Sequence, residues 1–210
     1  YAFQGRKPLK EQLAEEACKI EIEIMGAPIG RQDQYAASYG GINSIRFGGK
    51  GVSVEPMEIG NDMLAEISSN FTLVFTGMTR SASKVLAEES KDEGDKSRRM
   101  REIRNHADQA VMMFQNRDLD SLGALLNDTW TTKRGISSMI TNPSIDELYG
   151  RVMSAGAKGA KLLGAGNGGF ILVYGENGLR ETLQRELGSD FRMFPLEVDF
   201  SGSRIIHENS

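Results

Sequence analysis

The 210-residue chain carries 25 Lys and Arg against 29 Asp and Glu, a formal net charge of -4, with 39% hydrophobic residues and 24 glycines. That length supports one large domain or two small ones with a real core, and the mild acidity argues against a nucleic-acid grip, because no basic surplus exists to displace counterions. Cys18 is the only cysteine, so an internal disulfide is excluded; no apolar run reaches the length of a membrane span, and the expected compartment is the cytoplasm.

The opening Tyr1-Ala-Phe-Gln-Gly-Arg-Lys lacks an initiator methionine and runs into a helix, the expected remainder of a longer N-terminal part. The pattern predicts a helix over Leu9–Met25, stopped at Gly26 and Pro28. On a 3.6-residue wheel Glu15, Glu16, Lys19 and Glu23 form a solvated side, while Leu13, Ala14, Ala17, Cys18, Ile20, Ile24 and Met25 cover the rest. Glu21 falls among the apolar residues, alone in charge. A buried carboxylate must find a cation, a hydrogen-bond donor or a metal, and an Arg or Lys partner is the commoner solution.

The next stretch, Gly30-Arg-Gln-Asp-Gln-Tyr-Ala-Ala-Ser-Tyr-Gly-Gly41, holds one carboxylate, Asp33, after a tight loop that could bring it back beside Glu21. Two such acids, one for Mg²⁺ and one near a hydroxyl, are what phosphoryl transfer commonly needs. The plainer use of an aspartate at a loop edge is an Asx turn or a helix cap. Ile42–Phe47 and Val52–Pro56 then alternate like paired strands, with Gly48-Gly-Lys-Gly51 as their turn.

Phe71–Thr76 reads as a buried strand ending at Gly77. Thr76-Gly-Met-Thr-Arg-Ser-Ala-Ser83 leads it into a helix whose first turn carries Arg80, a pairing that suits a phosphate or carboxylate; a Thr79 or Ser81 cap with Arg80 in solvent accounts for it as well. Helices are predicted over Ser81–Glu89, Lys96–Asn116, Leu119–Arg134 and Ile145–Ser154, with the charged Ser90–Asp95 as a mobile loop. The strand Ala160–Leu163, a glycine loop, the strand Phe170–Tyr174, the helix Leu179–Leu187 and a last strand near Phe194–Phe200 complete an α+β fold with a helical insertion.

The glycines of Leu162-Leu-Gly-Ala-Gly-Asn-Gly-Gly-Phe170 spell G-x-G-x-x-G, but a dinucleotide fingerprint must open a helix and this one leads into a strand. What remains is a loop with more glycine than a tight turn needs, where backbone can approach a ligand and aim N–H groups at an anion. With only His106 and His207, a histidine triad or zinc site has little to build on. The G-x-x-x-x-G-K-[ST] loop and the H-R-D and D-F-G motifs of protein kinases are absent, and Trp130 and the ten methionines fit core filling.

Four segments taken together, Gly30–Gly41, Thr76–Ala82, Asn142-Pro-Ser-Ile-Asp-Glu-Leu-Tyr149 and Lys161–Phe170, resemble the GHMP small-molecule kinases, and within them most closely the D-glycero-D-manno-heptose phosphate kinases. The resemblance implies a GHMP-kinase-like α+β fold, with residues 1–70 a remainder of the N-terminal domain and residues 71–210 a ferredoxin-like α/β-sandwich C-terminal domain carrying the helical insertion. It implies an ATP-dependent, Mg²⁺-requiring kinase that phosphorylates the anomeric C1 hydroxyl of a manno-heptose phosphate on the way to nucleotide-activated heptose. In that reading Asp33 is the base or charge partner of the accepting hydroxyl and Glu21 holds Mg²⁺. Arg31, Gln34, Tyr35, Gly40, Gly41 and Arg80 bind the substrate. Gly164, Ala165, Gly166, Asn167, Gly168 and Gly169 form the nucleotide and phosphate loop.

Asn167 stands where glycine is usual in these kinases; if the position needs a positive φ, asparagine is the best-tolerated replacement. The partners implied are a sugar phosphate and ATP, without nucleic acid or membrane, and a homodimer is left open. The upstream Ser-rich ATP-phosphate loop of the family is missing from these 210 residues, so this chain alone is expected not to turn over. The alternatives are a sister kinase of the fucose or galactose type and a noncatalytic sugar-binding module of the same fold.

Overall fold

A computed structural model describes residues 1–78 and 93–206. The chain divides into two compact units, Tyr1–Ile59 joined by the tail from Val198, and Gly60–Glu197.

The first unit contains a 3-10 turn (Ala2–Gln4), helix α1 (Lys10–Cys18), a π-helical turn (Lys19–Ile24), helix α2 (Gln32–Tyr39) and the antiparallel hairpin β1 (Asn43–Gly48) and β2 (Gly51–Pro56). Ala14 and Cys18 of α1 pack with Tyr35 of α2 to form its core, and Ile22, Tyr39, Ile45, Val52 and Val54 close around them. The single helix expected over Leu9–Met25 is therefore two segments. A π turn carries an extra residue per turn, so a 3.6-residue wheel loses its phase past Cys18. Ile20, Ile24 and Met25, expected in the apolar face, are 51%, 71% and 72% exposed. In the hairpin Gly48 pairs with Gly51, leaving Gly49-Lys50 as the two-residue turn.

Helix α2 was not expected. Its end is set by Gly40 at φ +66, a value that costs glycine little. There the tail crosses: the Gly41 N–H donates to the Asp199 carbonyl at 2.7 Å and the Ser203 N–H to the Ser38 carbonyl at 3.2 Å.

The second unit is α+β, as the sequence predicts. Helix α3 (Asn61–Asn70) precedes β3 (Phe71–Phe75); the helices α4 (Glu93–Gln115), α5 (Leu119–Arg134) and α6 (Pro143–Ser154) lie between β3 and β4 (Gly159–Leu162); β5 (Phe170–Tyr174), α7 (Leu179–Leu187) and β6 (Met193–Pro195) follow. The sheet order is β4-β5-β3-β6, every neighbour antiparallel. Successive strand residues point to opposite faces, so Val74, Ala160, Leu162, Ile171 and Val173 share one face. That face packs on Trp130, Ile145, Leu148, Val152, Leu183 and Leu187 from the helices to make the main core.

Three local expectations are corrected here. The last strand is only Met193–Pro195, although the Leu196 N–H just beyond it still donates to the Phe71 carbonyl at 3.4 Å. Helix α3 was missed. Glu93–Asp95, expected in a loop, are helical, with Asp95 paired to Arg98 at 2.6 Å and Arg99 at 2.7 Å on the next turn. The rest of that loop, the helix expected over Ser81–Glu89 and Arg80 lie outside the described residues. Among the described residues no helix is long and apolar enough to cross a membrane.

Candidate active site

In the first unit the tight turn after α1 returns the chain so that α2 runs beside it. Gln34, 6% exposed, donates from Nε2 to Oε2 of Glu21 at 2.7 Å. The lone charge on the opening helix thus finds a hydrogen-bond donor rather than the expected arginine or lysine. The Gln34 side-chain oxygen Oε1 is buried without a partner among the described residues. Asp33 precedes Gln34 in the first turn of α2 and is exposed. Asp33 is thus next in sequence to the residue that bonds Glu21, with its own side chain exposed where that of Gln34 is buried.

Arg31 is exposed; its Nη2 donates to the Tyr35 hydroxyl at 3.3 Å, and its guanidinium lies over the rings of Tyr35 (5.6 Å) and Phe47 (5.8 Å). Tyr35 is fully buried in the unit's core. Gly40 and Gly41 carry the turn on which the tail rests, and a Cβ on Gly40 would stand 2.4 Å from the Gly202 nitrogen. These two glycines thus serve the tail crossing.

In the second unit the segment Gly164–Gly169 joins β4 to β5, and it bends through positive φ at Gly164 (66°), Gly166 (115°), Asn167 (53°) and Gly169 (97°). Asn167 does occupy the left-handed region, where asparagine is tolerated better than other side chains. The loop is tied at three points. The Asn167 N–H donates to the Ile140 carbonyl at 2.6 Å, the Gly169 N–H to the Met78 carbonyl at 2.9 Å, and the Gly169 carbonyl accepts from the Thr76 N–H and hydroxyl, each at 2.9 Å. Gly166 must lack a side chain because a Cβ there would meet the Ile140 carbonyl at 2.6 Å. Ala165 and Gly168 complete the loop, both half-buried.

Two contacts escaped the sequence reading. Asn142 caps α6 by accepting from the Ile145 N–H at 3.0 Å, and its Nδ2 donates to Oδ1 of Asn167, so one side chain starts a helix and fixes the loop. Asn-Pro before a helical pattern signals the cap but not the second bond. Lys133, in the last turn of α5, donates from Nζ to the Gly164 carbonyl. It lies 31 residues away in sequence, beyond any local motif. Among the described residues no three acidic, His or Cys side chains gather to hold a metal.

The glycine loop and the strands β3, β4 and β5 fall within residues 70–192, more than half of the chain, which match the family model of the GHMP kinases' C-terminal part. The chain belongs to the GHMP kinases. This GHMP kinase chain is 33% identical over 171 residues to the D-glycero-alpha-D-manno-heptose 7-phosphate kinase of Campylobacter jejuni, a match covering 80% of this chain and 50% of that protein. It is 25% identical over 187 residues to the bifunctional fucokinase/GDP-fucose pyrophosphorylase of Arabidopsis thaliana, over 82% of this chain and 17% of that one. The crystal structure of a D-glycero-D-manno-heptose 1-phosphate kinase from Bacteriodes thetaiotaomicron shares the fold, with a TM-score of 0.66 at 20% identity over 94% of this chain and 55% of that chain. The chain thus spans half the length of the Campylobacter relative.

Proposed function

We propose that the chain is the central and C-terminal portion of an ATP-dependent sugar-phosphate kinase that phosphorylates the C1 hydroxyl of a D-glycero-D-manno-heptose phosphate, in the cytoplasm. In this reading the unit containing residues 70–192 is its C-terminal domain. The observation that carries the reading is in the first unit: an exposed Asp33 next in sequence to a buried Gln34 that is hydrogen-bonded to Glu21. Asp33 accepts or orients the proton of the attacking hydroxyl, which makes that oxygen a better nucleophile toward the terminal phosphate of ATP. Arg31, Gln34, Tyr35, Gly40 and Gly41 hold the acceptor directly or through the turn they build; Arg80, outside the described residues, and the Gly164–Gly169 loop are substrate and phosphate contacts by family resemblance.

One carboxylate with a free oxygen fits Mg²⁺ only as this ion is usually held by kinases, by one or two acids with water and substrate phosphates filling the shell. Glu21 fits that demand, with one oxygen on Gln34. When bound there, the ion would offset charge on the phosphate oxygens.

The test is turnover of the protein with ATP against heptose, hexose and their phosphates, with the product read by phosphorus NMR. Phosphorylation of a heptose phosphate at C1 is the expected result; a preference for fucose or galactose would favour the sister-kinase reading, which the Arabidopsis fucokinase likeness supports. The 210-residue chain by itself is expected to be inactive, and robust activity from it would remove the need for an upstream phosphate loop.

A further inference from the structure

At the foot of the glycine loop, inside the unit Gly60–Glu197, two lysines border Gly164, and neither is paired with an acid among the described residues. Lys133 holds the Gly164 carbonyl from the end of α5, and Lys161 sits on β4 three residues before that glycine. Both are half-buried. Neighbouring cations are treated differently: Lys158 is paired with Asp120 at 2.9 Å and Glu176 at 3.2 Å, and Arg134 with Asp146 at 3.1 Å. Neither Lys133 nor Lys161 has an ion-pair partner among the described residues. Burial lowers the pKa of Lys133 to about 8, the charge of Lys161 adding to the effect, and burial lowers Lys161 as well. Holding two partly desolvated like charges together is unfavourable unless an anion joins them.

The loop itself cannot supply all the attraction an anion needs. Two of its N–H groups, those of Asn167 and Gly169, are already committed to carbonyls. The positive charge must come from side chains, and these two lysines are placed at the loop's entry.

We propose that Lys133 and Lys161, with the Gly164–Gly169 loop, form a phosphate-binding subsite that receives the phosphoryl group of a nucleotide or of the phosphorylated acceptor. The proposal deepens the kinase reading and rests on it for the identity of the ligand, but not for the binding. A bound phosphate dianion restores the charged form of Lys133, so binding near pH 8 takes up a proton, and affinity falls as the pH rises above 8.

Calorimetry of the protein with inorganic phosphate, in two buffers of different ionisation enthalpy, reads both quantities; ADP and mannose 6-phosphate as separate titrants distinguish the two sources. Wild type is expected to bind phosphate with proton uptake at pH 8. Lys133→Met and Lys161→Met should each weaken binding at least about tenfold, the scale of a charge-assisted hydrogen bond. Lys133→Arg should retain affinity yet lose the dependence above pH 8, because a guanidinium stays charged. Absence of phosphate binding by wild type, or unchanged affinity and proton uptake in a folded Lys133→Met and Lys161→Met double variant, overturns the subsite. Lysine-dependent phosphate binding, together with no sugar phosphorylation by a form that also carries an upstream phosphate loop, would sink the kinase reading and leave the subsite standing.

Discussion

Asp33 and Gln34 are adjacent and do opposite things. Gln34 is buried and spends its amide on Glu21, whereas Asp33 is exposed with no hydrogen-bond or ion-pair partner among the described residues. Replacing Asp33 by Asn therefore breaks no contact within those residues, and asparagine is as acceptable near a helix start. The expected outcome is a fall of at least about a hundredfold in turnover with an unchanged urea midpoint; near-normal turnover would remove Asp33 from the mechanism. Asp33 was legible as a candidate because a lone acid in a polar loop is visible in the sequence. Lys133 was not, since its meaning depends on a carbonyl brought to it by the return of β4 toward α5.

Asn142 links two elements, and its two bonds separate by substitution. Aspartate keeps an acceptor for the Ile145 N–H but offers no N–H to Asn167, while alanine removes both. Asn142→Ala is expected to cost about 1–2 kcal/mol, the usual worth of a helix cap, and Asn142→Asp to recover most of that in denaturant unfolding. Hydrogen exchange at the loop amides should quicken in both variants. If the Asp variant protects the loop as well as wild type, the Asn142–Asn167 bond has no role there. Elsewhere the tail is held by a closer fit: a Cβ on Gly202, at φ +62, would lie 2.4 Å from the Ser38 carbonyl. Gly202→Ala should weaken the tail's seat by about 2–3 kcal/mol, read as earlier proteolytic cutting after Val198; unchanged resistance would mean that the crossing relaxes without cost.

The elements readable from sequence were those with a local signature: the β1–β2 hairpin with its glycine turn, the continuous apolar strand β5, and the helix α6. Helix α2 was hidden by a loop-like composition, and the π turn cannot be told from an α-helix by periodicity because its first turn has the same pattern. The tail's return to the first unit is a tertiary contact with only two small residues, Gly40 and Gly202, to mark it. Family membership was legible because four motifs kept their order over most of the chain. The acceptor was not, since sugar specificity resides in pocket details that no motif in these residues spells out.

For the molecule as a whole, Lys133 gives alkaline pH an unusual sign. In the unfolded chain it keeps its proton to about 10.5, while in the folded protein it releases it near 8, so between those values the unfolded state binds more protons and stability climbs with pH. Lys161, lowered by burial, acts in the same direction. Tyr174 acts oppositely: burial and its hydrogen bond to Asp120 push it up to about 12, so above its unfolded value of 10.0 the folded state holds a proton that the unfolded state has lost, and stability falls. The urea midpoint of wild type should therefore rise from pH 8 to a maximum near 10 and drop beyond it. Lys133→Met should flatten the climb but keep the drop, and saturating phosphate should flatten it in wild type by holding Lys133 charged. A wild-type midpoint that declines from pH 8 to 10 in parallel with the variant would mean that Lys133 is as well solvated in the folded protein as in the unfolded one, and the anion subsite would lose its electrostatic basis.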